Sequence, residues 1–158
     1  MKILGIDPGT GILGFGVIEK KSSRLSMLDA GVIRTTSKQS DGERLKIIYD
    51  ELAGIIKQNK PDVLAVEKLF FAQNVTTAMS VSQARGVVML CGVQSGLSVF
   101  EYTPLQIKQA ITGYGRADKA QIQQMVKNIL KLDDIPKPDD CADALACAIT
   151  HAMTSHYA

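Results

Sequence analysis

Four carboxylates stand where the local sequence has little structural use for a charge. Asp7 closes the apolar run Ile3-Leu4-Gly5-Ile6 and is followed by Pro8-Gly9-Thr10-Gly11, and Glu67 closes a second run, Val63-Leu64-Ala65-Val66. Asp140 and Asp143 are three apart at the start of a helical pattern, so they share one face. Like charges brought together repel, and without a cation some would have to stay protonated. A divalent metal removes that conflict, and a set of oxygen ligands favours Mg²⁺, with Mn²⁺ able to substitute, over zinc. Such ions usually share their coordination with substrate phosphates, and two of them about 4 Å apart can serve an in-line phosphodiester displacement. Taken singly, the residues have plainer roles: Asp7 shaping a turn, Glu67 ending a strand, and Asp139, Asp140 and Asp143 suiting the first turn of a helix. Taken together, they favour a metal centre.

For the four to meet, the chain must bring two strand ends and one helix face together. Segments 2–7, 12–19 and 25–33 are short, rich in Ile, Leu and Val, and separated by turn residues, which predicts three antiparallel strands. Leu45, Ile48, Leu52, Ile55 and Ile56 repeat at helical spacing over 43–60, with Ser40 or Asp41 near the start. A fourth strand, 62–66, ends at Glu67. A helix over 75–96 follows, with apolar residues spread around its circumference as if buried on more than one side. A fifth strand, 98–102, leads into Thr103-Pro104, a cap and first-turn proline for a short helix. Asp118 caps the next helix, and a last one spans 139–156. The order β-β-β-α-β-α-β-α-α-α describes an α/β fold: a five-stranded mixed sheet, three antiparallel strands plus two parallel, flanked by helices. If the fourth strand lies parallel beside the first, Asp7 and Glu67 sit at adjacent carboxyl ends, the edge where open α/β sheets bind ligands.

The 158 residues fit a single domain, 1–158, with an aliphatic core and no Trp. No apolar run is long enough for a membrane span and no signal-peptide layout is present, so the expected location is cytoplasmic. Cys91, Cys141 and Cys147 show no CxxC spacing and read as packing residues. The formal charge of +2 decides little, since an acidic site subtracts from a basic surface. Gly9-Thr10-Gly11-Ile12-Leu13-Gly14 fits a dinucleotide-binding pattern, but that reading needs a helix where glycines favour a strand.

Ile3-Leu4-Gly5-Ile6-Asp7-Pro8-Gly9-Thr10, Val66-Glu67-Lys68-Leu69-Phe70-Phe71, Gln83-Ala84-Arg85-Gly86-Val87, Val99-Phe100-Glu101-Tyr102 and Asp140-Cys141-Ala142-Asp143-Ala144-Leu145-Ala146, with Ile149-Thr150-His151, resemble the RuvC Holliday-junction resolvases in order and spacing. The resemblance covers essentially the whole chain. It implies an RNase H-like fold and a structure-selective endonuclease of recombination and repair. It also implies Asp7, Glu67, Asp140 and Asp143 as the metal-binding catalytic set, a four-way DNA junction as substrate, and RuvA and RuvB as branch-migration partners. Lys68 departs from the pattern, where a neutral residue, commonly Gln, is expected.

Six residues are candidates for holding DNA. Phe70 and Phe71 follow Glu67, where an aromatic can stack on or wedge between bases, although core packing is the ordinary use. Lys108, Arg116 and Lys119 flank the Gly113-Tyr114-Gly115 loop and can contact phosphates, with Lys119 near a helix N-terminus. The resemblance strengthens Phe70, Lys108 and Lys119. Arg85 has a DNA-contact reading and an equally good structural one. Two cuts at a two-fold symmetric junction call for a homodimer, for which helix 75–96 is the candidate interface, with burial inside the monomer as the alternative.

Overall fold

A computed structural model describes residues 1–68 and 75–155. Its elements are β1 (Lys2–Asp7), β2 (Ile12–Lys21), β3 (Arg24–Arg34), α1 (Asp41–Asn59), β4 (Val63–Glu67), α2 (Val75–Gln94), β5 (Ser98–Tyr102), α3 (Pro104–Thr112), α4 (Lys119–Leu130) and α5 (Asp139–Thr154). This is the order the sequence predicts. The strands form one sheet, β3-β2-β1-β4-β5. β1 is antiparallel to β2 and parallel to β4, β2 is antiparallel to β3, and β4 is parallel to β5. Because Ile6 pairs with Val66, Asp7 and Glu67 follow side by side on neighbouring strands.

Strand alternation divides the sheet into two faces. Leu4, Ile6, Leu13, Val17, Leu64 and Val66 pack with Ile48, Leu52 and Ile56 of α1 and Ala84, Val88 and Cys91 of α2. Ile3, Ile18 and Ala65 point the other way, toward α3, α4 and the core of α5. Asp7 and Glu67 continue the odd-numbered alternation of Ile3 and Ala65, so both face α5.

Three helices start with a reciprocal cap in which the first side chain and the third helical residue bond each other's backbone: Ser40 with Glu43, Thr103 with Gln106, and Asp118 with Gln121. α5 starts differently. Its cap position is Pro138, with no side-chain bond, so Asp139, Asp140 and Asp143 are not serving as its caps.

α5 lies unusually close to the sheet. A Cβ on Gly5 would stand 2.1 Å from the Ala144 carbonyl oxygen, one on Gly14 2.0 Å from that of Asp140, and one on Gly16 2.6 Å from Leu145. These glycines leave room for the helix backbone, and Ala142, Ala144, Ala146 and Ala148 keep its inner surface small and buried. The acidic end of α5 is thereby set over the ends of β1 and β2.

The expectation that α2 is buried on more than one side is not met. Its inner face holds Ala78, Ala84, Val88, Cys91 and Gly92, while Val75, Met79, Leu90 and Val93 are exposed. Those four recur at spacings of 4, 11 and 3 residues and fall on one outward stripe. All three cysteines are free and buried, as packing residues should be. The segment 12–21 is a strand, which removes the helix a dinucleotide loop requires. No helix among the described residues is long and apolar enough to cross a membrane.

Candidate active site

At the carboxyl edge of β1 and β4, the Asp7 and Glu67 side chains hydrogen-bond each other. Burial, followed by repulsion from Glu67 and Asp143, pushes the Asp7 pKa from 3.8 up to about 9, and the hydrogen bond to Glu67 and the nearby Asp140 add to the rise. The protonated form of Asp7 is thereby favoured, and its O–H donates a hydrogen bond to the Glu67 carboxylate. Glu67 is also raised by burial, against the hydrogen bond from Asp7 that lowers it; Asp143 raises it further, and Lys119 and Lys108 pull it back. Burial raises Asp143 too, with Lys119 opposing.

Beside these carboxylates is a cavity of about 250 Å³ between α3, α4 and α5. Glu67, Lys108, Asp118, Lys119 and Asp143 supply its charged lining, and Ile107, Ala117, Ile122 and Ala146 its apolar floor. The Lys119 ammonium lies 3.2 Å from Asp143 Oδ2 and 3.5 Å from Asp139 Oδ2. Partial burial lowers its pKa, but these two carboxylates outweigh that and hold it above the ordinary lysine value.

The donor set suits a hard divalent cation: four carboxylates, two of them forced to share a proton in the metal-free protein. Among the described residues no three such side chains are already closed to coordination distance. Asp7 and Glu67 are engaged with each other, and Asp143 with Lys119.

Asp7, Glu67, Asp140, Asp143, Lys108 and Lys119 therefore gather at one edge. Arg116 is exposed and precedes the cavity residue Ala117. Arg85 points elsewhere: its guanidinium is ion-paired with Glu101 of β5, and its Nε is buried with no hydrogen-bond partner. Phe70 and Phe71 lie outside the described residues. Sequence reasoning missed Asp139 as a partner of Lys119, and Gly5, Gly14 and Gly16 as the seat of α5. Glycines alternating with large apolar residues in β1 and β2, against an alanine-rich helix, were the available signal for the seat.

Residues 3–151 match the family model described as crossover junction endodeoxyribonuclease RuvC. A curated protein of that name from Desulfitobacterium hafniense is 60% identical over 152 residues, covering 96% of this chain and 92% of that one. Another from Halothermothrix orenii is 55% identical over 151 residues, again 96% of this chain and 92% of the relative. Among solved structures, T. thermophilus RuvC in complex with a Holliday junction substrate superposes with a TM-score of 0.94 at 36% identity, covering 98% of this chain and 94% of that one. Matches of this length and closeness make this chain, with its acidic side chains gathered at one sheet edge, a member of the RuvC family of crossover junction endodeoxyribonucleases.

Proposed function

We propose that this endonuclease resolves four-way DNA junctions by hydrolysing phosphodiesters at a centre formed by Asp7, Glu67, Asp140 and Asp143, with Mg²⁺ as the natural cation, Mn²⁺ as a substitute and two ions per site. The observation that carries the reading is the partly buried, hydrogen-bonded Asp7–Glu67 pair at a sheet edge onto which the acidic end of α5 also converges. Such an arrangement is costly unless a cation is its working partner. Divalent ions held there would lower the pKa of an attacking water and offset charge on the leaving 3′ oxygen.

The chain's own groups complete the reaction surface. Lys108 and Lys119 present ammonium groups in the same cavity as Glu67 and Asp143, where they can draw a phosphate toward the carboxylates. Arg116 extends that positive rim. Phe70 and Phe71, leaving β4 immediately after the site, are proposed base contacts at the opened crossover. Arg85 is the weakest DNA contact of the set, since Glu101 already engages it.

Two strands must be cut, so we read the working form as a C2 homodimer. The outward stripe of Val75, Met79, Leu90 and Val93 on α2 supports that helix as the interface. Both apolar layers share one sheet, which supports a single domain over 1–158. Family membership supports a cytoplasmic enzyme working with RuvA and RuvB.

The test is cleavage of a synthetic four-way junction in Mg²⁺. We expect paired symmetric nicks, a spared linear duplex of the same sequence, and an Asp7→Asn variant that binds the junction without cutting it. Equal cutting of the linear duplex would sink the junction reading, and full activity of Asp7→Asn the site.

A further inference from the structure

Lys119 and Asp139 form a device that carboxylate chemistry does not by itself require. Lys119 is the first residue of α4, directly after the Asp118 cap, and its side chain reaches across the cavity to α5. There it is shared between Asp143, 3.2 Å away, and Asp139, 3.5 Å away. Asp139 and Asp143 are four residues apart and occupy one face of α5. Asp139 contacts Lys119 and influences Asp143 electrostatically, whereas Glu67, Asp143 and Asp140 are the charges that raise Asp7. It therefore stands one step outside the carboxylate centre, in contact with the lysine that touches it.

We propose that Lys119 is a resident counter-cation of the centre and Asp139 its positioning residue: Lys119 neutralises Asp143 in the metal-free protein and, when a divalent cation takes Asp143, is retained by Asp139 at the cavity mouth. The inference rests on the four-carboxylate reading above. A lysine is a compact charge on a flexible four-carbon stem, able to swing between two acceptors on one helix face. Both ends of the bridge are partly exposed, with side-chain exposures of 56% for Lys119 and 48% for Asp139, so the exchange costs little desolvation. Without Asp139, a lysine displaced from Asp143 would have no anchor on α5 and would disperse into solvent. With it, the ammonium stays beside Lys108, where a DNA phosphate would enter.

The consequences are opposite for the two residues, which makes them testable without DNA. Mn²⁺ binding is measured by electron paramagnetic resonance on the DNA-free protein for wild type, Lys119→Gln, Asp139→Asn, the double variant and Asp7→Asn. Lys119→Gln removes a competitor for Asp143 and should tighten Mn²⁺ by about two- to five-fold, the scale of a partly exposed ion pair. Misfolding cannot mimic a gain in affinity. Asp139→Asn leaves Asp143 as the only partner of Lys119 and should weaken Mn²⁺ by about two- to three-fold, with Asp139→Glu restoring it. In the Lys119→Gln background, the Asp139→Asn effect should shrink to the small direct influence of Asp139 on Asp143. Unchanged or weaker binding by Lys119→Gln overturns the counter-cation role. An undiminished Asp139→Asn effect in the double variant overturns the positioning role and makes Asp139 act on the centre without Lys119. Wild-type binding by Asp7→Asn would instead sink the four-carboxylate centre, a failure distinguishable from both.

Discussion

Replacing the titrating carboxyl of Asp7 with an amide should make the metal-free protein more stable while abolishing its cutting. In the folded chain, burial and the neighbouring carboxylates move the Asp7 pKa from 3.8 to about 9. The folded state therefore binds a proton that the unfolded state has released over that whole interval, and stability falls as pH rises through it. At pH 7 the penalty has a ceiling of ~4 kcal/mol, from about 1.4 kcal/mol for each pH unit above the unfolded value. Because Glu67 shares the proton, part of the strain survives when Asp7 alone is changed, and about 2 kcal/mol is the expected release. The Asn amide can still donate to Glu67, so Asp7→Asn keeps the hydrogen bond and loses the titration. For a chain of this size that is a rise in Tm of roughly 4–8 °C. The assay is thermal unfolding in EDTA at pH 4, 5.5, 7 and 8.5. The gain of Asp7→Asn over wild type should be near zero at pH 4 and grow with pH. Added Mg²⁺ should then stabilise wild type and narrow or invert the difference. An Asp7→Asn protein equal to or less stable than wild type at pH 7 in EDTA would refute the electrostatic reasoning, whatever its activity.

Three further outcomes follow from packing and capping. Gly5→Ala would place a Cβ 2.1 Å from the Ala144 carbonyl oxygen, so α5 must lift; we expect a loss of about 3 kcal/mol or more in urea unfolding and a collapse of junction cleavage. Leu90→Lys places a charge in the exposed apolar stripe of α2 and should shift sedimentation equilibrium toward monomer while leaving the circular dichroism spectrum intact. Asp118→Ala removes the cap that accepts from the Gln121 backbone N–H, and should cost about 1 kcal/mol and reduce cleavage through the displaced Lys119.

The elements were legible because local signals agreed with the global fold. Alternation and turns marked every strand, and Ser40, Thr103 and Asp118 marked three helix starts. The placement of Asp7 and Glu67 followed from one topological step, the parallel crossover through α1 that sets β4 beside β1. The outward face of α2 was not legible, because an apolar residue bound for the core and one bound for a partner look alike in sequence. Nor was the bridge from Lys119 to α5: it joins residues 20 and 24 positions apart across a cavity, and no local pattern encodes such a distance. Arg85 illustrates the converse. Its sequence left a DNA contact and a structural role equally open, and β5 brings Glu101 to it.

The glycine seat beneath α5 bears on who must move when a junction is cut. With backbone against backbone at Gly5 and Gly14, the helix carrying Asp140 and Asp143 cannot slide or tilt toward a substrate without opening the sheet contact. The backbone positions that carry its carboxylates and those of β1 and β4 are accordingly set at folding, like the jaws of a gauge cut from a single piece. Accommodation falls on the nucleic acid. A duplex that resists bending keeps its phosphate short of the gauge, whereas a crossover, which can bend at its branch point, reaches it at lower deformation energy. Stiffness in the protein then becomes a means of choosing among DNA shapes without reading a base.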